Sequence, residues 1–416
     1  MAGLSILFLA ALVAAQAQEP TSRAEAIEKE RDRKAAELRP ETLSRAEQTL
    51  RDIQDKKLLE RFSYGYNGLR AAIGNMATGS GFAIGPEFNR EDLLRGHLTT
   101  RITALVSTRR WQKYESEIGL PRLANGQLTL GFHALHRNYS SVDYYGPGPD
   151  SGKGGRSTYR FEDTRVSAGG GWRPVRLVRL AARSGYVWTN VGPGDRKGAI
   201  STDRLFTERT LPGIERQTNF TENSASFQLD WRDDPAGPKT GGNYVIQQTW
   251  YSDRRFSRYG FRRLDLDVQQ YVGFFNKTRR LAFRAKAALT DAGGGQTVPF
   301  YMQPAIGGAD DLRGFRPYRF SGPNAMSLTG EYRWEIFSGM DGALFADAGK
   351  VFPRRGQLNF SNLESSVGFG LRANARNRTF LRIDVGFSHE GFAVFVKFND
   401  VFQPRPFGVS QIPLGY

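Results

Sequence analysis

The feature that most constrains this chain is a two-residue alternation of apolar and polar side chains that starts after Phe62 and persists almost to the end. From Ser327 to Phe337, Leu328, Gly330, Tyr332, Trp334 and Ile336 share one parity, and Ser327, Thr329, Glu331, Arg333 and Glu335 share the other. In an extended strand these two sets point to opposite faces. The same split recurs where Leu264, Leu266, Val268, Val272 and Phe274 oppose Arg263, Asp265, Asp267 and Gln269, and where Leu281, Phe283, Ala285 and Leu289 oppose Arg280, Arg284 and Lys286. Such stretches run to about 10 to 14 residues, where soluble sheets use five or six, and tilted strands of that length suit a membrane barrel. Tyr64 to Phe402 holds about sixteen of them. Their connections alternate between short ones (Arg173-Pro174, Asn276 to Thr278, Ser338 to Met340) and long ones (Asn138 to Arg156, Val191 to Thr218, Ala292 to Asn324), all the long ones on one side. The expected fold is all-β, a transmembrane antiparallel β-barrel over residues 62–403.

The ends read differently. Leu4 to Ala15 is apolar but shorter than the about 20 residues that a membrane helix needs, and Ala15-Gln16-Ala17 follows it, so residues 1–17 read as a signal peptide. Residues 18–61 are rich in Glu, Lys, Arg, Ala and Leu, which favours helix, with Pro40 as a break. Leu43, Ala46, Leu50 and Ile53 give this segment one modest apolar face, read as a periplasmic helical segment that docks or forms a tail. Residues 404–416 are a C-terminal tail. A mean hydropathy of -0.49 does not oppose a membrane location, because barrel strands are apolar only at alternate positions. The 47 Gly, 16 Tyr and 29 Phe suit turns and interfacial aromatic girdles.

A formal net charge of +16 raises nucleic acid as a partner, but the charge is placed at turns, as in Arg109-Arg110, Arg254-Arg255 and Arg354-Arg355. These pairs suit outer-membrane lipid headgroups or lipopolysaccharide phosphates, with plain solvated loop charge as the alternative. No nucleic-acid partner is expected. Nor is an enzyme: the histidines, His97, His133, His136 and His389, are scattered, and no His-Glu-x-x-His or Gly-x-Ser-x-Gly pattern occurs. His133 and His136 differ in parity, which argues against a shared metal. Asp310-Asp311 could suggest calcium, but one acidic pair is more often solvated. No catalytic residue, cofactor or metal is expected.

The loop Ala292 to Asn324 contains Ile306-Gly307-Gly308-Ala309-Asp310-Asp311-Leu312-Arg313-Gly314-Phe315. This resembles the arginine-glycine-aromatic signature of the bacterial surface antigen family, the BamA/TamA-like barrels that insert or export outer-membrane proteins. The resemblance implies that the loop folds into the lumen and that Arg313, with Gly314 and Phe315, meets Phe345 and Asp347 of Phe345-x-Asp347-x-Gly349. Parity supports this separately, since Phe345 and Asp347 face the same side of a strand and together suit a guanidinium. Asp230-Trp231-Arg232-Asp233 with Pro238 and Gly241 is similar to the family's periplasmic turn, and Tyr145-Gly146-Pro147-Gly148 to an extracellular loop. Gly368-x-Gly370-x-Arg372 and Arg382-x-Asp384-x-Gly386 extend the likeness. Residues 18–61 are too few for a POTRA module, which departs from the family's usual periplasmic part.

The family implies assembly or translocation of outer-membrane proteins, with unfolded clients or a periplasmic partner. The expected seam joins a first strand near Tyr64 to Ile73, weakened by Gly65 and Gly68, to a last strand Phe392 to Phe402 carrying Phe392, Val394, Val396 and Phe398. Two other readings stand beside it. One is a passive pore, which Arg263, Arg280, Arg284 and Arg333 would make anion-selective; the other is a structural anchor acting through Thr21 to Arg61.

Overall fold

A computed structural model describes residues 27–31, 33, 66–74, 76–375 and 378–403. The expected signal peptide, nearly all of the expected N-terminal helical segment, Gly65 and the tail 404–416 lie outside the described residues. Residues 27–31 and 33 are helical and exposed.

Among the described residues, sixteen antiparallel strands form the wall. They are β1 (Leu69–Gly74), β2 (Ala83–Leu93), β3 (Leu98–Ser107), β4 (Gln112–Leu123), β5 (Leu128–Tyr144), β6 (Ser157–Val175), β7 (Val178–Pro193) and β8 (Phe220–Asp230). There follow β9 (Gly241–Asp253), β10 (Phe261–Phe274), β11 (Arg279–Asp291), β12 (Asn324–Phe337), β13 (Met340–Phe352), β14 (Glu364–Ala375), β15 (Arg378–Ser388) and β16 (Gly391–Lys397). Each pairs with the next in sequence, which is the meander expected of strands joined by local hairpins.

The alternation in the sequence becomes the two faces of the wall. Arg263, Asp265, Asp267, Gln269, Thr329, Glu331 and Arg333 are buried inside, while Ile246, Val268, Phe283, Leu344, Phe369 and Val394 are exposed outside. Only an enclosed lumen explains charged residues buried on one side and apolar residues exposed on the other.

The short turns fall near their expected places at 275–278 and 338–339, with one correction. β6 runs to Val175, so its turn is Arg176-Leu177 and not Arg173-Pro174. The ladder with β7 slips between Trp172 and Val175, and this irregularity admits Pro174, which cannot donate to a ladder. β5 likewise continues to Tyr144, so the first long loop is 145–156.

The wall is uneven in height. β5, β6 and β7 have 17, 19 and 16 residues, whereas β1 has 6 and β16 has 7. Among the described residues no ladder joins β1 to β16, so the sheet is nearly closed and its ends meet through side chains. A Cβ at Gly74 would lie 3.5 Å from the Phe398 Cβ, and the Phe82 and Phe398 rings meet edge-on at 5.7 Å.

The last strand is shorter than expected. β16 ends at Lys397, so Phe398 lies beyond it, and Val401 and Phe402 are buried rather than exposed on a strand. Asp400 breaks the alternation: it accepts the Phe402 N–H at 2.9 Å and the Arg333 guanidinium at 2.7 and 2.9 Å. Phe402 packs on Tyr271 at 5.6 Å, and Arg284 donates to the Val401 and Gln403 carbonyls at 2.6 and 3.1 Å. The end of the described chain therefore enters the lumen.

The end of the wall bearing the long loops is filled by a continuous apolar cluster. It unites Met76 and Trp111 with Tyr144, Tyr159, Phe161, Leu211, Phe220, Tyr259, Phe300, Tyr301 and Tyr318.

Candidate functional site

Residues 292–323 leave the top of β11, descend into the lumen and return to β12. Leu312 and Phe315 anchor the descent in a small buried cluster with Ala288, Ile306, Phe320, Ala325 and Val351. Arg313 lies between them with no exposure.

Its guanidinium is held on every side. Nε and Nη2 donate to the two oxygens of Asp347, each at 2.8 Å, and the Arg313 backbone N–H donates to the same carboxylate at 3.1 Å. Nη1 donates to Glu331 at 3.0 Å, and Cζ stands 3.4 Å from the centroid of the Phe345 ring. The fork geometry of arginine matches a carboxylate bidentately, and its flat cation suits an aromatic face.

The wall is shaped for this contact. Glu331, Phe345, Gly368 and Gly386 are paired in one row across β12, β13, β14 and β15. A Cβ on Gly368 would lie 2.4 Å from Phe345 Cζ, and one on Gly386 2.2 Å from the Arg313 carbonyl oxygen. The two glycines therefore make room for the ring and for the loop backbone. Gly314 is equally confined, since its Cβ would meet the Ser366 Cβ at 2.6 Å and the Phe387 carbonyl at 2.8 Å. A Cβ on Gly349 would come 2.7 Å from the Met326 carbonyl oxygen.

The charges continue beyond Arg313. Arg372 donates to Glu331 at 2.7 Å and pairs with Asp384 at 2.7 Å, and Arg382 pairs with Asp384 at 2.6 Å and with Asp310 at 2.7 Å. Asp311 holds Lys286 at 2.8 Å. So many buried charges are tolerable only as a mutually paired network. Asp310 and Asp311 are committed to this network, which leaves the calcium alternative without support.

The expected lock residues Arg313, Gly314, Phe315, Phe345, Asp347 and Gly349 are thus brought together. Glu331, Arg372, Arg382 and Asp384 were not assigned to the lock, although each has inward parity. Asp143 was also missed; it gathers Arg156 at 2.9 Å, Arg196 at 3.0 Å and Arg109 at 4.0 Å. Tyr145 to Gly148 meets the lumen loop directly, since Gly148 N–H donates to the Ser321 carbonyl at 2.7 Å.

At the seam, Phe392, Val394 and Val396 face outward and are exposed. Gly68 is not a weak point of strand packing. It sits in a tight turn before β1 at φ +87°, and a Cβ there would lie 2.6 Å from Arg90 Cδ.

All six turn arginines lie on the long-loop side, in the connections 108–111, 254–260 and 353–363. Arg109 reaches toward Asp143, and Arg255 donates to the Gln217 carbonyl at 3.4 Å. The pore-lining arginines are each paired: Arg263 with Asp265, Arg280 with Asp341, Arg284 with Asp267, and Arg333 with Glu331 and Asp400. Glu115, Glu117 and His133 bring three possible ligand atoms within 4.8 Å of one another, but Lys113 pairs with Glu115 at 2.6 Å and His133 with Glu115 at 3.1 Å. That group is an inner-wall ion-pair cluster.

A sixteen-strand barrel with an apolar outer face and an arginine-bearing loop locked inside defines an outer-membrane-type barrel protein of the BamA-like fold. The chain belongs to the Omp85 superfamily, whose domain matches residues 99–391. Two solved structures resemble it in fold. BamA from Haemophilus ducreyi lacking POTRA domains 1-3 aligns with TM-score 0.60 and 14% identity over 80% of this chain and 69% of that one. CdiB from Escherichia coli aligns with TM-score 0.54 and 15% identity over 80% of this chain and 62% of that one. No curated protein matches the chain.

Proposed function

We propose that this barrel resides in the bacterial outer membrane and acts without catalytic chemistry in the insertion, assembly or translocation of outer-membrane proteins. The observation that carries the reading is a pairing of opposites in one wall. Across β12 to β15 the loop is locked by Arg313, whereas the β1–β16 boundary has no ladder among the described residues. A braced wall beside a boundary with no ladder among the described residues lets the barrel part at a single line. Free strand edges there would template an incoming strand by backbone hydrogen bonds.

Unfolded outer-membrane proteins are the clients under this reading, with or without a periplasmic partner. Arg110, Arg254, Arg354 and Arg355 on the long-loop side would contact lipopolysaccharide phosphates. A passive anion pore finds less support, because the lumen arginines are already neutralised by carboxylates.

The test is to reconstitute the protein in liposomes and time the folding of an unfolded test barrel, against Arg313→Ala and protein-free liposomes. Acceleration by the wild type that Arg313→Ala abolishes is expected. Equal folding times in all three would overturn the proposal.

A further inference from the structure

The acidic pair beside the lock arginine divides its work. Asp311 faces Lys286 on β11, on the side of the braced wall away from the seam. Asp310 faces the seam from within. One of its carboxylate oxygens accepts from Arg382 of β15 at 2.7 Å, and the other accepts from the Thr78 hydroxyl at 2.8 Å. Thr78 lies in the connection between β1 and β2, on the opposite side of the seam. Both contacts are buried, with Thr78 3% and Asp310 7% exposed.

A second observation indicates that this approach is built into the chain. A Cβ on Gly308 would lie 2.6 Å from Thr78 Cγ2, and one on Gly79 would lie 3.3 Å from the Pro317 Cβ. Both glycines adopt positive φ, +93° and +84°. The lumen loop and the first hairpin therefore approach at two points, with no Cβ on one side of each contact. On the β15–β16 side of the seam, Ser388 donates to the Gly314 carbonyl at 2.8 Å, and Arg319 donates to Glu390 at 2.8 Å. Arg382 Nε also donates to the Asn399 carbonyl just beyond β16, at 3.0 Å.

We infer that Asp310 is a positioning residue that clasps the seam from inside, bridging Thr78 on the β1 side to Arg382 on the β15–β16 side in place of a backbone ladder. The clasp meets the Arg313 lock through Arg382 and Asp384 but makes a different link. The lock fixes the loop to the wall; the clasp fixes the first hairpin to the loop. Parting of β1 from β16 then requires the Thr78–Asp310 contact to break while Arg313 stays seated. As a control on client entry this rests on the assembly reading, but the clasp itself is testable without clients.

The chain has no cysteine, so a pair can be introduced cleanly. A Cβ at Gly74 would be 3.5 Å from the Phe398 Cβ, within the range a disulfide bridges, about 3.5 to 4.5 Å. Gly74→Cys with Phe398→Cys is to be oxidised in liposomes in the wild-type, Thr78→Val, Asp310→Asn and Arg313→Ala backgrounds. Hydrogen exchange is followed in parallel on the same backgrounds without the cysteines. Thr78→Val removes one hydroxyl at nearly constant volume, so it reports even if Asp310→Asn fails to fold.

Thr78→Val is expected to raise the open-to-closed ratio of the seam, and with it amide exchange there, roughly fivefold, the worth of one buried hydrogen bond, and to slow cross-linking to the extent that the open seam becomes populated. Exchange should rise in Leu69–Gly74 and Gly391–Lys397 and stay unchanged at residues 312–315. Cross-linking and exchange equal to wild type would overturn the clasp, as would loosening of 312–315 as large as that of the seam. A seam that responds to Thr78→Val in a protein that accelerates no client folding would sink the assembly reading alone; acceleration with an unresponsive seam would sink the clasp alone.

Discussion

At the scale of single residues, the lock depends on shape as much as on charge. Arginine satisfies Asp347 through two N–H donors while a third meets Glu331, an arrangement that a lysine ammonium cannot reproduce. Arg313→Lys should therefore leave buried carboxylate oxygens unsatisfied and destabilise the barrel by about 1 to 3 kcal/mol, the usual cost of an unsatisfied buried acceptor. Urea unfolding in detergent measures this directly, and a loss below about 1 kcal/mol would mean that charge alone suffices. The core of the lock was legible in the sequence because Phe345 and Asp347 share parity and Arg313 stands in a recognisable signature. Glu331, Arg372 and Asp384 were not, because their roles depend on register across β12 to β15, a non-local quantity that no short spacing encodes.

At the scale of elements, the long loops carry internal hydrogen bonds of their own. In the loop 194–219 the Glu208 carboxylate accepts the backbone N–H groups of Gly213 at 2.8 Å and Glu215 at 3.0 Å, and the Tyr259 hydroxyl donates to it as well. Burial would raise its pKa, but these donors outweigh burial and hold it below the usual glutamate range. Because the folded pKa is depressed, this stabilisation is present above about pH 4.3 and is lost as pH falls through the folded value. Amide protection at Gly213 and Glu215, corrected for intrinsic exchange, should hold from pH 7 to about pH 4.3 and collapse below it; loss already near pH 6 would contradict this assignment. The elements themselves were readable from period alone, but their ends were not. Alternation through Phe392, Val394, Val396 and Phe398 continues in the letters to Phe402, yet Asp400 finds Arg333 inside the barrel and turns the chain away from the wall.

At the scale of the whole molecule, paired lumen charges and an apolar cluster beneath the long loops argue for a barrel that is closed at rest. In planar bilayers the wild type should show little steady conductance, and truncating the cluster with Tyr301→Ala and Phe300→Ala should raise it. A steady, anion-selective current through the wild type would restore the pore reading. This property lay beyond the sequence, because Met76, Trp111, Leu211, Tyr259 and Tyr301 meet only once five separate strand connections have been folded together.

The inward course of residues 398–403 also couples distant parts of the wall. Phe402 rests on Tyr271 and Asp400 on Arg333, both deep within a wall whose final strand immediately precedes them. Residues 398–403 leave β16 and fasten to β10, β11 and β12 across the lumen, through Tyr271, Arg284 and Arg333. The last described strand and the middle of the wall are therefore tied from within, and neither can swing away without breaking a buried ion pair.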